Sequence, residues 1–215
     1  MVARMRRQII LMSAFLLIAC AGVVHAAPVA VNRNAGESDT DFVQRVTKQT
    51  IVPDAAEHPQ IANTNALIPG VQVLIAFTEA VDPQDPDHAY DIMLNAFLKT
   101  SDRSYIWIGN TNACEIEGGS ATQRAFFYAS PDNGSTPDVA VICGWDETHR
   151  GADCQANDEV RFFKLDRNAV SDVDMQKYQT LFYKKVKPDR KSTYTCTVSK
   201  FTTAADVKKL LKPGR

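Results

Sequence analysis

Seven short segments of the chain are apolar or alternate apolar with polar residues: Val71–Phe77, Ala89–Lys99, Ser104–Asn110, Thr122–Ala129, Pro137–Trp145, Asp158–Leu165 and Ser192–Phe201. Alternation with a period of two sends successive side chains to opposite faces of a strand, and Gly, Pro, Asn and Asp between the segments supply the turns. So many strands joined by short turns predict an antiparallel meander. This pattern restricts the fold more than any other feature of the sequence.

Helices are predicted at three places. In "SDTDFVQRVTKQTI", Ser38 and Asp41 form a capping pair, and Phe42, Val43 and Val46 share one face before the chain reaches Pro53. The stretch "SDVDMQKYQTLFYKK" puts Val173, Met175, Tyr178, Leu181 and Phe182 on one side behind Ser171 as a cap, and "TTAADVKKLLK" reads as a terminal helix capped by Thr202 or Thr203 and stopped by Pro213. Residues 27–37 have no periodicity and read as a flexible lead, and Pro53–Gly70 reads as a proline-punctuated loop. The expectation is a single α+β domain over residues 38–215, a curved antiparallel sheet with helices at its ends or on one face.

The N-terminus has the form of a secretory signal. Arg4, Arg6 and Arg7 precede the apolar run "IILMSAFLLIACAGVV" and the small-residue stretch "HAAP". The run is shorter than the roughly 20 residues a membrane span requires, so cleavage after Ala26 is expected, with residues 1–26 as the signal peptide. "LIAC" ending at Cys20 resembles a lipobox, and a lipid anchor at Cys20 is the competing route. Cleavage after Ala26 leaves 189 residues, one domain by size, and removes three of 24 basic residues but none of the 25 acidic ones, shifting the net charge from −1 to −4. That balance offers no footprint for nucleic acid or for an anionic membrane surface. The expected location is the periplasm or the medium.

Four cysteines remain after such cleavage: Cys114, Cys143, Cys154 and Cys196. An even number in an oxidising compartment predicts disulfides. Three connectivities are open to sequence, of which the favoured one closes a hairpin loop with Cys143–Cys154 and ties the C-terminus to the sheet with Cys114–Cys196. No C-x-x-C pair supports a zinc site.

Three polar clusters invite a chemical reading. Around "SPDNGSTPD", carboxylates stand at Asp132 and Asp138, in a region where a calcium loop places oxygen ligands at alternate positions. The residues predict a turn in which Asp132 or Asn133 bonds its own backbone rather than an occupied ion site; Asp132 and Asp138 are the metal candidates. The cluster Asp82, Asp85, Asp87 and His88 is interleaved with prolines and reads as a solvated turn. The loop "WDETHRGADC" carries Asp146, Glu147, His149 and Arg150, an acid and a histidine close together but with no nucleophile or orienting group to complete a catalytic set. No nucleophile elbow, zincin or phosphate-loop motif occurs, and no cofactor is expected. A charged loop on a rigid sheet suits recognition, so these four residues are the candidate partner-binding set.

The stretch "AFFYASPDNGSTPDVAVICGW" resembles the D-x-D-x-D-G-x-x-D hairpin of FG-GAP repeats, with its ligand series falling on Ser130, Asp132, Gly134, Thr136 and Asp138. Together with "GESDTDF", "VQVLIAF" and "DEVRFFKL" it is similar to a group of small exported bacterial proteins, some of them periplasmic immunity proteins. The resemblance implies a protein that blocks a toxin delivered by a contact-dependent secretion system. The expected function is accordingly non-enzymatic periplasmic binding, with a secreted toxin as the protein partner. A metal-dependent exported hydrolase and a structural envelope lipoprotein are the alternatives.

Overall fold

The computed structural model describes residues 27–52, 60–81, 90–114, 122–132, 134–144, 158–186 and 196–212, with Val81, Tyr90 and Cys196 described in backbone only. The expected signal sequence with Cys20, the Asp82–His88 cluster and the segment carrying Asp146, Glu147, His149, Arg150 and Cys154 lie outside the described residues. Four layers follow one another: a helix, a sheet, a second sheet and a C-terminal cover. The class is α+β with a curved antiparallel sheet, and ten of the twelve described strands divide between two sheets that face each other, the last two forming a separate hairpin.

The first sheet contains β1 (Val29–Asn32), β2 (Thr50–Ile51), β3 (Ile61–Ile68), β4 (Val71–Val81), β5 (Tyr90–Lys99) and β6 (Ser104–Cys114), in the order β1-β6-β5-β4, with both β2 and β3 on the free edge of β4. The second contains β7 (Thr122–Ala129), β8 (Asp138–Gly144), β9 (Glu159–Leu165) and β10 (Val170–Asp172), in the order β10-β9-β8-β7. All the pairings are antiparallel. Alternation decides which residues enter which layer. On β4, Val73, Ile75 and Phe77 face the second sheet, whereas Leu74 and Ala76 face the opposite way. On β8, Val139, Val141 and Cys143 join that same inter-sheet core, while Ala140 and Ile142 turn to the C-terminal cover. Every residue of β8 is buried, the consequence of being covered on both faces.

The outer face of the first sheet is closed by α1 (Asp39–Thr47), which begins where the sequence places it. Ser38 Oγ accepts from Asp41 N at 3.1 Å and donates to the Asp41 carboxylate at 2.7 Å. Phe42 and Val43 are fully buried against Leu74, Ala76, Phe97 and Tyr105. The outer face of the second sheet is closed by a 3-10 turn (Gln176–Tyr178), α2 (Gln179–Phe182), the hairpin β11 (Tyr183–Val186) and β12 (Cys196–Ser199), and α3 (Ala204–Leu211). Phe182 stacks on Phe162 at 5.9 Å and meets the edge of Phe201 at 6.1 Å, which fastens this cover. The reciprocal bonds of Thr203 and Asp206 start α3.

Three segments differ from expectation. Residues 29–32 pair with β6 and do not form a featureless lead; an edge strand needs only one apolar face, and Val31 alone packs inward on the α1 cluster. The Pro53–Gly70 stretch contains β3, whose polar centre hides its strand character because only Leu67 and Ile68 at its end are buried. The expected helix from Ser171 to Lys185 is instead the end of β10, the 3-10 turn, α2 and β11. Its apolar residues Val173, Met175, Tyr178, Leu181 and Phe182 do pack on one cluster, but from the stretch after β10, the 3-10 turn and α2 and not from a single helix.

The N-terminal edge is secured electrostatically. Arg45 Nε and Nη2 donate to the two Glu37 oxygens at 2.6 and 2.9 Å, and Nη2 also donates to Asn32 O at 2.7 Å. The Arg45 guanidinium holds the Glu37 carboxyl down from its ordinary 4.5 to about 2. A depressed carboxyl adds stability above its unfolded pKa and loses it as pH falls through the folded value. Glu37→Gln is therefore expected to lower the melting temperature at neutral pH and to flatten its fall between pH 4.5 and about 2, as read from thermal melts across that range.

Candidate functional site

β8 organises the candidate residues by separating them. Asp138 opens the strand and Gly144 closes it. At about 3.3 Å per residue, the two ends stand roughly 20 Å apart. The segment bearing Asp146, Glu147, His149 and Arg150 leaves from the Gly144 end, and the Asp132–Asp138 turn enters at the other. The described strand thus separates the Asp132–Asp138 turn from the point at which the chain runs on toward Asp146.

The Gly144 end is firmly held. A bulge between Gln123 and Ala125 re-aims Arg124, which lies over Gly144, where a Cβ would collide with its guanidinium. Arg124 Nε reaches Asp158 Oδ1 at 3.0 Å, an ion pair in distance though not in hydrogen-bond angle. Burial raises the Asp158 carboxyl, and Arg124 opposes the rise. One residue inside, Cys143 is disulfide-bonded to Cys114 at the end of β6, with a Cα–Cα distance of 5.7 Å. This bond corrects the favoured pairings Cys143–Cys154 and Cys114–Cys196. Both bonded cysteines are fully buried in the core between the two sheets, and closeness along the chain gave no hint that β6 and β8 face each other there.

At the other end of β8 lies a groove of about 590 Å³. Leu67, Ile68 and Pro69 form one wall; the β7–β8 turn and the β9–β10 turn form the others. Within the β7–β8 turn, Asp132 Oδ1 accepts from Ser130 Oγ at 2.6 Å and from Gly134 N at 3.0 Å. These donors hold the Asp132 carboxyl below the usual range, with Ser130 the larger cause. A side chain at Gly134 would press on Asp132 Oδ1 and Ser130 Oγ. The turn thus uses its own oxygens to satisfy its own backbone, as the residue types predicted. Among the described residues, no group of three His, Cys, Asp or Glu side chains is placed to hold a metal ion.

The remaining groove carboxylates divide in the same way, with one exception. Asp166 Oδ1 accepts from Asn168 N at 2.6 Å and Ala169 N at 2.9 Å, which forms the β9–β10 turn. Asp172 is paired with Arg161 at 2.9 Å. Asp138 alone has no hydrogen-bond donor among the described residues, although it is only 7% exposed. Burial pushes its carboxyl up, the nearby Asp132 charge adds to the rise, and Lys164 opposes it. Lys164 and Arg167 line the groove too. Sequence reasoning missed both, since no local signal links the β9–β10 turn to a turn some thirty residues earlier; only the sheet brings them together.

An ionised Asp138 is a burden on the fold. A carboxyl whose folded pKa is raised binds its proton more tightly in the native state, so stability falls as pH rises through the raised value. Asp138→Asn should raise the melting temperature at neutral pH by ~2–4 °C, on the order of 1 kcal/mol. The gain should vanish in acid, below the ordinary carboxylate range, where the wild-type group is neutral. Parallel melts at neutral and acid pH check both halves.

Comparison of the chain with family models, with curated proteins and with solved structures finds no match. Among the described residues, no helix is long and apolar enough to cross a membrane.

Proposed function

We propose that this protein is a non-enzymatic binding protein of the periplasm, an immunity protein whose partner is a secreted toxin. The observation that carries the reading is the fixed frame around residues 145–157. The Cys114–Cys143 bond and the Arg124–Asp158 pair hold the strand ends from which that segment leaves and to which it returns. A recognition loop rooted on a rigid sheet has less freedom to lose on binding. Asp146, Glu147, His149 and Arg150 would meet the toxin, and the acidic surface would steer a basic partner. The signal sequence and the FG-GAP-like hairpin support export and lineage.

The test is co-expression with the toxin encoded in a neighbouring reading frame. Export of this chain should protect the cells, and the combined Asp146→Ala, Glu147→Ala and Arg150→Ala variant should bind at least tenfold more weakly at an unchanged melting temperature. Failure to protect against any neighbouring toxin overturns the reading.

A second reading rests on Asp138. A buried carboxyl with a raised pKa beside a groove suits a general acid in an exported hydrolase. Hydrolytic activity in the purified protein that disappears in Asp138→Asn would favour it over immunity.

A further inference from the structure

We propose that the groove between Leu67–Pro69 and the two turns of the second sheet takes a basic side chain, a guanidinium or primary ammonium on an aliphatic stem, with Asp138 as the anchoring carboxylate. The inference deepens the binding-protein reading by naming what part of a partner this end of the molecule would receive.

A buried carboxylate normally has donors directed at it, because leaving it unpaired forfeits solvation without return. Asp132, Asp166 and Asp172 are exposed and could be served by water, yet the fold still supplies each with donors. Asp138, the buried one, is 7% exposed on the groove lining and has no hydrogen-bond donor among the described residues. A ligand that brings N–H donors would supply what the fold withholds.

Charge selects the sign of that ligand. Four carboxylates line the groove against two cations, Lys164 and Arg167. Arg161, which pairs with Asp172, offsets one of the four, and the balance stays negative. Among the described residues, no trio of His, Cys, Asp or Glu side chains is placed to form a metal shell. An organic cation needs less: one unpaired carboxylate for its head, and an apolar wall for its stem. Leu67, Ile68 and Pro69 provide that wall, and long basic side chains lay their methylenes along such surfaces. The volume of about 590 Å³ lies within the range of small-ligand sites.

The probes are N-acetyl-argininamide and N-acetyl-lysinamide, titrated into the mature protein and followed by calorimetry and by the carbon shift of the Asp138 carboxyl. N-acetyl-norleucinamide serves as the uncharged stem. One of the basic probes is expected to saturate, to bind at least tenfold more tightly than the norleucine compound, to shift the Asp138 signal, and to weaken at least tenfold in Asp138→Asn. Free arginine and a linear polyamine distinguish the sources: if they bind tenfold better than the blocked compounds, the ligand is a free solute, and otherwise it is a protein side chain. No saturation by any basic probe, equal binding of norleucinamide, or a silent Asp138 carboxyl overturns the proposal. So does calcium alone moving the Asp138 signal at micromolar ion. The Asp138 shift is read on the wild-type protein, so a variant that fails to fold does not obscure the result. Because toxin protection is measured separately, the groove and the immunity reading can fail independently.

Discussion

The protein with Cys114 and Cys143 both replaced by alanine will unfold about 3–4 kcal/mol more readily than the wild type, and will melt roughly 10 °C lower. The two residues are 29 apart in sequence, and cross-linking a loop of that size removes a comparable amount of chain entropy from the unfolded state. The bond also joins the ends of two strands that belong to different sheets, β6 and β8. Without it, the sheets are still held together by the apolar core, in which Phe77, Leu94, Val141 and Phe163 pack, and by the bonds of Thr111 to Asp172 and of Arg161 to Ala113 O. The variant should therefore fold, but with earlier melting and faster amide exchange at the Gly144 end of β8. Tryptic mapping without reductant supplies a direct check. Peptide Ser104–Arg124 should emerge joined to Ala125–Arg150; Ala125–Arg150 emerging joined instead to the Cys154 peptide that begins at Gly151 would sink the assignment.

The error over the disulfide shows where the sequence stops being legible. Local patterns carried far: the capping pair at Ser38 and Asp41, the capping box at Thr203, and strands such as Thr122–Ala129 are decided by neighbours within four residues or by alternation along one segment. What those patterns omit is the partner of each face. β8 has apolar residues on both faces, which says that it is covered twice but not by what. Knowing that β8 faces β6 requires the chain to have been folded into two sheets. The same gap hid the groove. Asp132 was visible as a turn residue, and its bonds to Ser130 and Gly134 lie within that turn. The isolation of Asp138, and the approach of Lys164 and Leu67, arise from three segments distant in sequence. Edge strands were lost for a different reason: β1 and β3 bury too little to show a period.

Phe42→Ala is expected to cost about 3–5 kcal/mol, the range for emptying a buried aromatic site. Phe42 is fully buried, 5.3 Å from the Phe97 ring and 4.9 Å from that of Tyr105. Its other side carries Arg33 at 5.0 Å and Arg45 at 5.7 Å, so the ring is also the surface on which two guanidinium groups rest. Arg33 is paired in turn with Asp39 in the first turn of α1, and Arg45 with Glu37. Truncation therefore removes a core side chain and the platform of a charged network together, and the cations cannot follow the collapsing cavity without leaving their carboxylates. Phe42→Leu keeps most of the apolar volume but supplies no ring face, so the difference between the two variants separates packing from the cation–π contribution, roughly 0.5–1 kcal/mol per cation at exposed sites. Chemical denaturation of both variants gives those numbers. Hydrogen exchange should locate the damage in α1 and β1, leaving β8, on which both candidate sites are built, protected; loss of protection in β8 would mean that the α1 layer and the second sheet unfold as one unit.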